Sequence, residues 1–195
     1  SCRPYDLEYD PLLDNLKIKN KWELKELCND QVLQTLKENN CNDRLSDNLL
    51  RFLGNPLHLY LFLKVRPYEQ LTDPLSTDIL YHQIWKKYIN DDSIRNVDKD
   101  KLLSLLDSLV GKMYQRQELS VHVRELETKY DAELKYLFTN GILIITKNGQ
   151  VQFFHQTLFD YVYARRFMEN GGDLLESLKA QHQGLFSRSS VKSIL

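Results

Sequence analysis

Cysteine, proline and glycine are all scarce in this 195-residue chain, with three, five and seven copies respectively. Each scarcity excludes something. Cys2, Cys28 and Cys41 are odd in number and form no Cys-x-x-Cys pair, which argues against a disulfide framework or a zinc site and fits a reducing cytoplasm. All the prolines lie at or before Pro74. With glycine sparse and leucine abundant, the composition argues for a mainly helical chain. No apolar run approaches the ~18 residues of a transmembrane helix, and no basic segment leads into a short apolar one as in a secretory signal. No membrane partner is expected. Excess charge is missing too: 27 acidic and 26 basic residues leave a net charge of -1, with no bulk attraction to nucleic acid.

Several chemical motifs are also absent. The sequence has no Gly-x-x-x-x-Gly-Lys-Ser/Thr phosphate loop and no Gly-x-Gly-x-x-Gly. It shows no Ser/His/Asp arrangement with local support and no His/Cys cluster at metal spacing. Without a phosphate loop or an acidic magnesium site, nucleotide hydrolysis has little basis. No catalytic residue and no metal ligand is therefore assigned, and the chain alone is not expected to be an enzyme. It opens on Ser1-Cys2-Arg3-Pro4 rather than on methionine, and reads as a segment cut from a longer protein.

What is present is a succession of helical patterns. Trp22 to Cys28 and Asp30 to Lys37 read as short helices, with Asp30 as the N-cap of the second. Ser46 caps a helix through Phe52. Gly54-Asn55-Pro56 then interrupts, and Pro56 suits the first position of the next helix, Leu57 to Lys64. Residues 66–74 connect to a helix capped by Ser76 or Thr77, and polar Asp91 to Asp98 separates two subdomains. Leu102, Leu105, Leu106, Leu109 and Met113 mark a long helix. A short strand or turn near Val121 follows, then helices over Arg124 to Thr128 and Asp131 to Thr139. Ile142–Thr146 and Gln150–Phe154, joined by Lys147-Asn148-Gly149, form a hairpin, for which Asn-Gly supplies positive φ angles. Helix, strand, helix, helix, hairpin is the order of a winged helix. Trp22, Trp85 and the Tyr-rich helix 159–168 read as core, and Arg165-Arg166 as a solvated face.

The densest stretch is Val151 to Met168, where a short apolar strand meets an aromatic-rich helix with His155 at the junction. A helix start of that kind can meet an anionic ligand.

Three separated pieces resemble one family, the NACHT-type STAND signal-transduction ATPases. Ser1-Cys2-Arg3-Pro4 is similar to the end of the sensor 1 strand. Leu53-Gly54-Asn55-Pro56-Leu57 is similar to the Gly-x-Pro motif of the first helical subdomain. Phe153-Phe154-His155-Gln156-Thr157-Leu158-Phe159-Asp160-Tyr161-Val162-Tyr163-Ala164 resembles the winged-helix signature Phe-x-His-x-Ser/Thr-Phe-x-Glu-Phe/Tyr-x-Ala-Ala. The chain departs from that signature at Leu158 for Phe, at Asp160 for Glu, and at Tyr163 for the first of two alanines.

The resemblance implies a mainly α fold. Residues 1–11 would follow sensor 1, 12–92 would form a helical bundle, and 97–170 a winged helix with a short hairpin. A further helical segment would begin over 173–195. It also implies that Arg3 senses the γ-phosphate, that Pro56 packs on adenine with Gly54 giving close backbone approach, and that His155 reaches the β-phosphate of ADP. The whole protein would bind ATP or ADP with magnesium, close on ADP, and form homo-oligomers on activation in the cytoplasm. Its missing partner would be the phosphate-loop domain of the same chain, and this segment alone is expected to bind no nucleotide. Two other readings stay open. One is a winged-helix interaction scaffold without nucleotide. The other is a DNA-binding winged helix, disfavoured because Asp131 to Thr139 carries two acids and one base where phosphates need several cations.

Overall fold

The computed structural model describes residues 25–41, 45–65, 76–91 and 97–171. The expectations for residues 1–24, for the 66–74 connector, for most of the Asp91 to Asp98 boundary and for the segment beginning at Asp173 lie outside the described residues.

The first half is a bundle of four helices among the described residues: α1 (Asn29–Glu38), α2 (Asp47–Leu53), α3 (Pro56–Val65) and α4 (Thr77–Tyr88). Their starts are set by local chemistry. Ser46 Oγ accepts from Leu49 N–H at 3.1 Å to begin α2, and Ser76 Oγ accepts from Ile79 N–H at 3.2 Å to begin α4. Asn55 Oδ1 accepts from Leu57 N–H at 2.9 Å, so Pro56 occupies the first helical position of α3, where its missing N–H costs nothing. The buried faces of α3 and α4 supply Leu59, Leu61, Phe62 and Val65 against Leu80, Tyr81, Ile84 and Trp85. His58 of α3 ties that helix to α2 and α4. Its Nδ1 donates to the Phe52 carbonyl at 2.9 Å, Thr77 Oγ1 lies 3.0 Å from its Nε2, and its ring stacks on Phe52 at 4.1 Å.

One expected helix is not formed as read. Lys25 to Cys28, the described part of the stretch from Trp22, is not helical. Leu27 N–H instead donates to the Gly54 carbonyl at 2.7 Å, a tertiary bond that replaces the helical one. The N-cap of α1 is accordingly Cys28 rather than Asp30, and Gln31 Oε1 reaches back to the Cys28 N–H at 2.9 Å.

The second half is a winged helix: α5 (Lys99–Arg116), β1 (Val121–His122), α6 (Arg124–Thr139), β2 (Leu143–Ile145), β3 (Gln150–Phe153) and α7 (Gln156–Glu169). The two helices read in the sequence before the hairpin are the two limbs of α6. They join at a kink where Tyr130 takes non-helical angles (φ -133°, ψ 32°). The sheet order is β1-β3-β2, antiparallel throughout, with Val121 opposite Val151 and Leu143 opposite Phe153. Asn148 does not supply a positive φ to the hairpin. Of the connecting residues only Gly149 does (φ 73°), after a turn closed by Gly149 N–H on the Thr146 carbonyl at 3.0 Å. That is the three-residue connection with a glycine bulge rather than the two-residue one.

Helix α7 packs back on α5. Arg166 forks onto Asp107 with two bonds of 2.7 Å, and Tyr163 stacks on Tyr114 at 4.1 Å. Arg165 lies over the Trp85 ring at 4.8 Å. The Arg165-Arg166 pair is thus not a solvated face, because each side chain is claimed by a neighbouring helix. The buried residues form one continuous core from Val32 to Tyr163, shared by both halves.

Gly54 is buried, and a Cβ there would stand 3.0 Å from the carbonyl oxygens of both Arg51 and Leu27. Both contacts are backbone and cannot swing aside. Gly54→Ala is expected to cost about 1–3 kcal/mol, read as a lower midpoint of denaturant unfolding. An unchanged midpoint would mean that the Leu27 segment moves away freely.

Candidate functional site

The site is built where β3 gives way to α7. His155 is extended (φ -149°, ψ 144°) and acts as the N-cap of α7, a place usually taken by Ser, Thr, Asp or Asn. Its Nδ1 accepts from Thr157 N–H at 3.2 Å and lies 2.7 Å from Thr157 Oγ1. Behind Thr157 stands Tyr81 of α4, 2 % exposed, whose hydroxyl makes a short hydrogen bond with Thr157 Oγ1. Because a backbone N–H can only donate, Nδ1 acts as an acceptor, and the neutral ring carries its hydrogen on Nε2. His155 is exposed at the surface, but the part of its ring that is shielded lowers its pKa below the ordinary value, against an opposing pull from the buried carboxyl of Asp160. Its place at a positive helix end acts in the same direction as burial. At neutral pH the site offers a neutral Nε2–H donor, not an imidazolium.

Of the other residues expected to serve the site, Arg3 lies outside the described residues. Pro56 is exposed at the start of α3. Gly54 is buried, and the room its missing side chain leaves is taken by the backbone of Leu27 and Arg51. Its close approach therefore serves the bundle. Pro56, Tyr60 and Lys64 follow one another at four-residue intervals, on one side of α3. The Tyr60 ring meets that of Phe154 at 5.2 Å, and Lys64 Nζ donates to the Asn140 carbonyl at the end of α6. Burial and the charge of Lys87 lower the Lys64 pKa. The stripe brings Pro56 within one helical turn, ~6 Å along the axis, of a residue touching His155's neighbour.

A hollow of about 300 Å³ opens beside His155, lined by Leu119, Gln152, Phe153, Phe154, Gln156 and Phe159 as well. All of these belong to the winged-helix half; neither Gly54 nor Pro56 lines it. No protein-family model matches this chain. Nor does any curated protein or solved structure match it. The residues themselves carry what can be said of function.

Tyr81 and Thr157 were not singled out by sequence reasoning. Tyr81 sits among the apolar positions of α4, where a tyrosine looks like core, and only its hydroxyl's partner distinguishes it. Thr157 was visible as the Ser/Thr of the signature, without a role. The second limb of α6, the groove-reading helix in DNA-binding winged helices, is partly covered here. Tyr136 donates its hydroxyl to the Tyr88 carbonyl at 3.1 Å, its pKa pushed up to about 12 by burial above all. Lys135 pairs with Asp131 at 2.7 Å on the same limb. No described helix is long and apolar enough to cross a membrane, and no group of three His, Cys, Asp or Glu gathers as around a metal ion among the described residues.

The lowered pKa fixes a pH dependence. The unfolded chain protonates His155 more readily than the folded one. The stabilisation this residue gives is therefore fully present above its ordinary pKa of about 6.5 and is lost as pH falls from there towards the folded value. His155→Asn keeps a capping oxygen and is expected to show a shallower fall in unfolding free energy than the native chain between about pH 7 and 5. Equal slopes for the two proteins would place the acid sensitivity elsewhere.

Proposed function

We propose that this chain is the helical and winged-helix portion of a nucleotide-dependent switch of the NACHT-type STAND class. In that reading His155 donates Nε2–H to a β-phosphate oxygen of ADP, and Pro56 borders the adenine. The observation that carries it is the state of His155. Its Nδ1 is committed to capping α7, and its Nε2–H is left as a donor at a positive helix end, suited to an acceptor-only group such as a phosphate oxygen. The winged-helix order and the exposed Pro56 on the Tyr60 side of α3 support it as well. Hydrolysis is not assigned to these residues. A phosphate-loop domain in the longer protein, with magnesium, would supply it.

ADP in this position would favour the arrangement in which the bundle and the winged helix are docked. Exchange for ATP would favour their separation, through the difference in contacts each nucleotide makes. The separation would break the contacts of Tyr81, Arg165, Tyr136 and Lys64 across the two halves and free a surface for self-association.

The test is ADP affinity measured on the longer protein. A hydrogen bond to a charged group contributes about 1.5–3 kcal/mol. His155→Ala is thus expected to weaken ADP binding by roughly 10- to 100-fold, with a smaller loss for Pro56→Ala. ADP affinity unchanged in both variants would sink the nucleotide reading. It would favour the interaction scaffold, for which the winged-helix lining of the hollow is the supporting observation.

A further inference from the structure

Three hydroxyl and imidazole groups from two halves of the molecule meet at His155, and the direction of every hydrogen between them can be deduced. The backbone N–H of Thr157 can only donate, so the Nδ1 it reaches at 3.2 Å is unprotonated. Thr157 Oγ1, 2.7 Å from that same Nδ1, must then donate its own hydrogen there, because two lone pairs at that distance would repel. Having donated forward, Thr157 Oγ1 is left as an acceptor for what lies behind it. That neighbour is Tyr81, so the tyrosine hydroxyl donates. The chain runs one way: Tyr81 O–H to Thr157 O–H to His155 Nδ1.

We propose that Tyr81 and Thr157 are positioning residues for His155, through which the helical bundle fixes the tautomer and ring orientation that present Nε2–H outward from the winged helix. The proposal rests on the reading of His155 as a phosphate contact for its biological meaning, but its geometry holds without any nucleotide.

The burial of Tyr81 explains why the order of the chain matters. Tyr81 is almost wholly enclosed, and its hydroxyl has been taken out of water to reach Thr157. Its burial raises its pKa, with the Thr157 bond opposing, so it stays a neutral donor. Its ring lies 5.6 Å from that of Tyr161, one turn further along α7, which holds α4 and α7 in register at this point. Thr157 and His155 belong to the winged helix; Tyr81 belongs to the bundle. Separation of α4 from α7 removes the donor behind Thr157, whose hydroxyl is then free to rotate away from Nδ1. The outward Nε2–H is best defined only while the halves are docked. By linkage, an acceptor bound at Nε2 favours docking to the same extent. The preferred ligand group is one that accepts and does not donate, such as a phosphate oxygen rather than an ammonium.

The experiment is a long-range proton–nitrogen correlation spectrum of the histidine rings in the 195-residue chain at neutral pH, with His155 assigned by the signals lost in His155→Asn. The native chain is expected to show the Nε2–H tautomer. Thr157→Val should convert it to a mixture of tautomers, Thr157→Ser should restore the native pattern, and Tyr81→Phe should shift it part of the way. The double variant should go no further than Thr157→Val alone, because the two residues act in series. An Nδ1–H tautomer in the native chain would overturn the proposal. A tautomer ratio untouched by Tyr81→Phe, in a variant whose unfolding midpoint confirms that it folds, would remove the bundle's part in it. In the longer protein, Tyr81→Phe is further expected to weaken ADP binding by roughly fivefold, the equivalent of one ordinary hydrogen bond of about 1 kcal/mol. Should the tautomer results hold while His155→Ala leaves ADP affinity unchanged, the positioning chain stands and the nucleotide reading fails.

Discussion

The docking of α4 against α7 is the constraint on which the rest of the structure depends. It joins two units that would each be small on their own, and it does so with apolar and polar contacts together. The core runs unbroken from Val32 to Tyr163, so neither half closes its hydrophobic surface alone. Across the same boundary Tyr81 reaches Thr157, Arg165 covers Trp85, Tyr136 reaches Tyr88 and Lys64 reaches Asn140. Polar groups at such a boundary cannot be left unpaired without cost, and each of these pairs is satisfied only in the docked arrangement. That gives the boundary a defined geometry as well as adhesion.

His155 sits where this boundary meets solvent. A serine or aspartate would cap α7 equally well, so the histidine adds something beyond capping. What it adds is a second nitrogen. Nδ1 does the work of the cap and Nε2 is left to face outward, with the tautomer set by what lies behind the ring. The departures of this segment from the winged-helix signature are absorbed without disturbing that arrangement. Leu158 and Phe159 are both buried in the core, and Tyr163, where the signature has alanine, finds a flat partner in Tyr114 at 4.1 Å.

Much of the fold was legible because local rules and tertiary packing agree there. Ser46 and Ser76 cap helices, Pro56 starts one, and the hairpin lies where the apolar run Ile142–Ile145 and the alternating Gln150–Phe153 flank Asn148-Gly149. The expectations that differed did so where a non-local contact took over. Lys25 to Cys28 gave up helix because the Gly54 carbonyl offered Leu27 a better-placed partner. Arg165 and Arg166, a charged pair on an aromatic-rich helix, looked solvated until α4 and α5 supplied Trp85 and Asp107. Gly54 was legible as a close approach, but the approaching group is the chain's own backbone.

By itself the sequence determined the mainly helical class, the winged-helix order and the singular place of His155 at a strand-to-helix junction. These are set by composition, periodicity and capping chemistry, which act over a few residues. Only the tertiary structure decided that His155 is the cap of α7, that its Nδ1 is occupied, and that Tyr81, 74 positions earlier in the numbering, stands behind it. The reason is physical. A hydroxyl's hydrogen-bond partner is fixed by which helices pack together, and that packing is decided by the whole buried surface rather than by any segment of it.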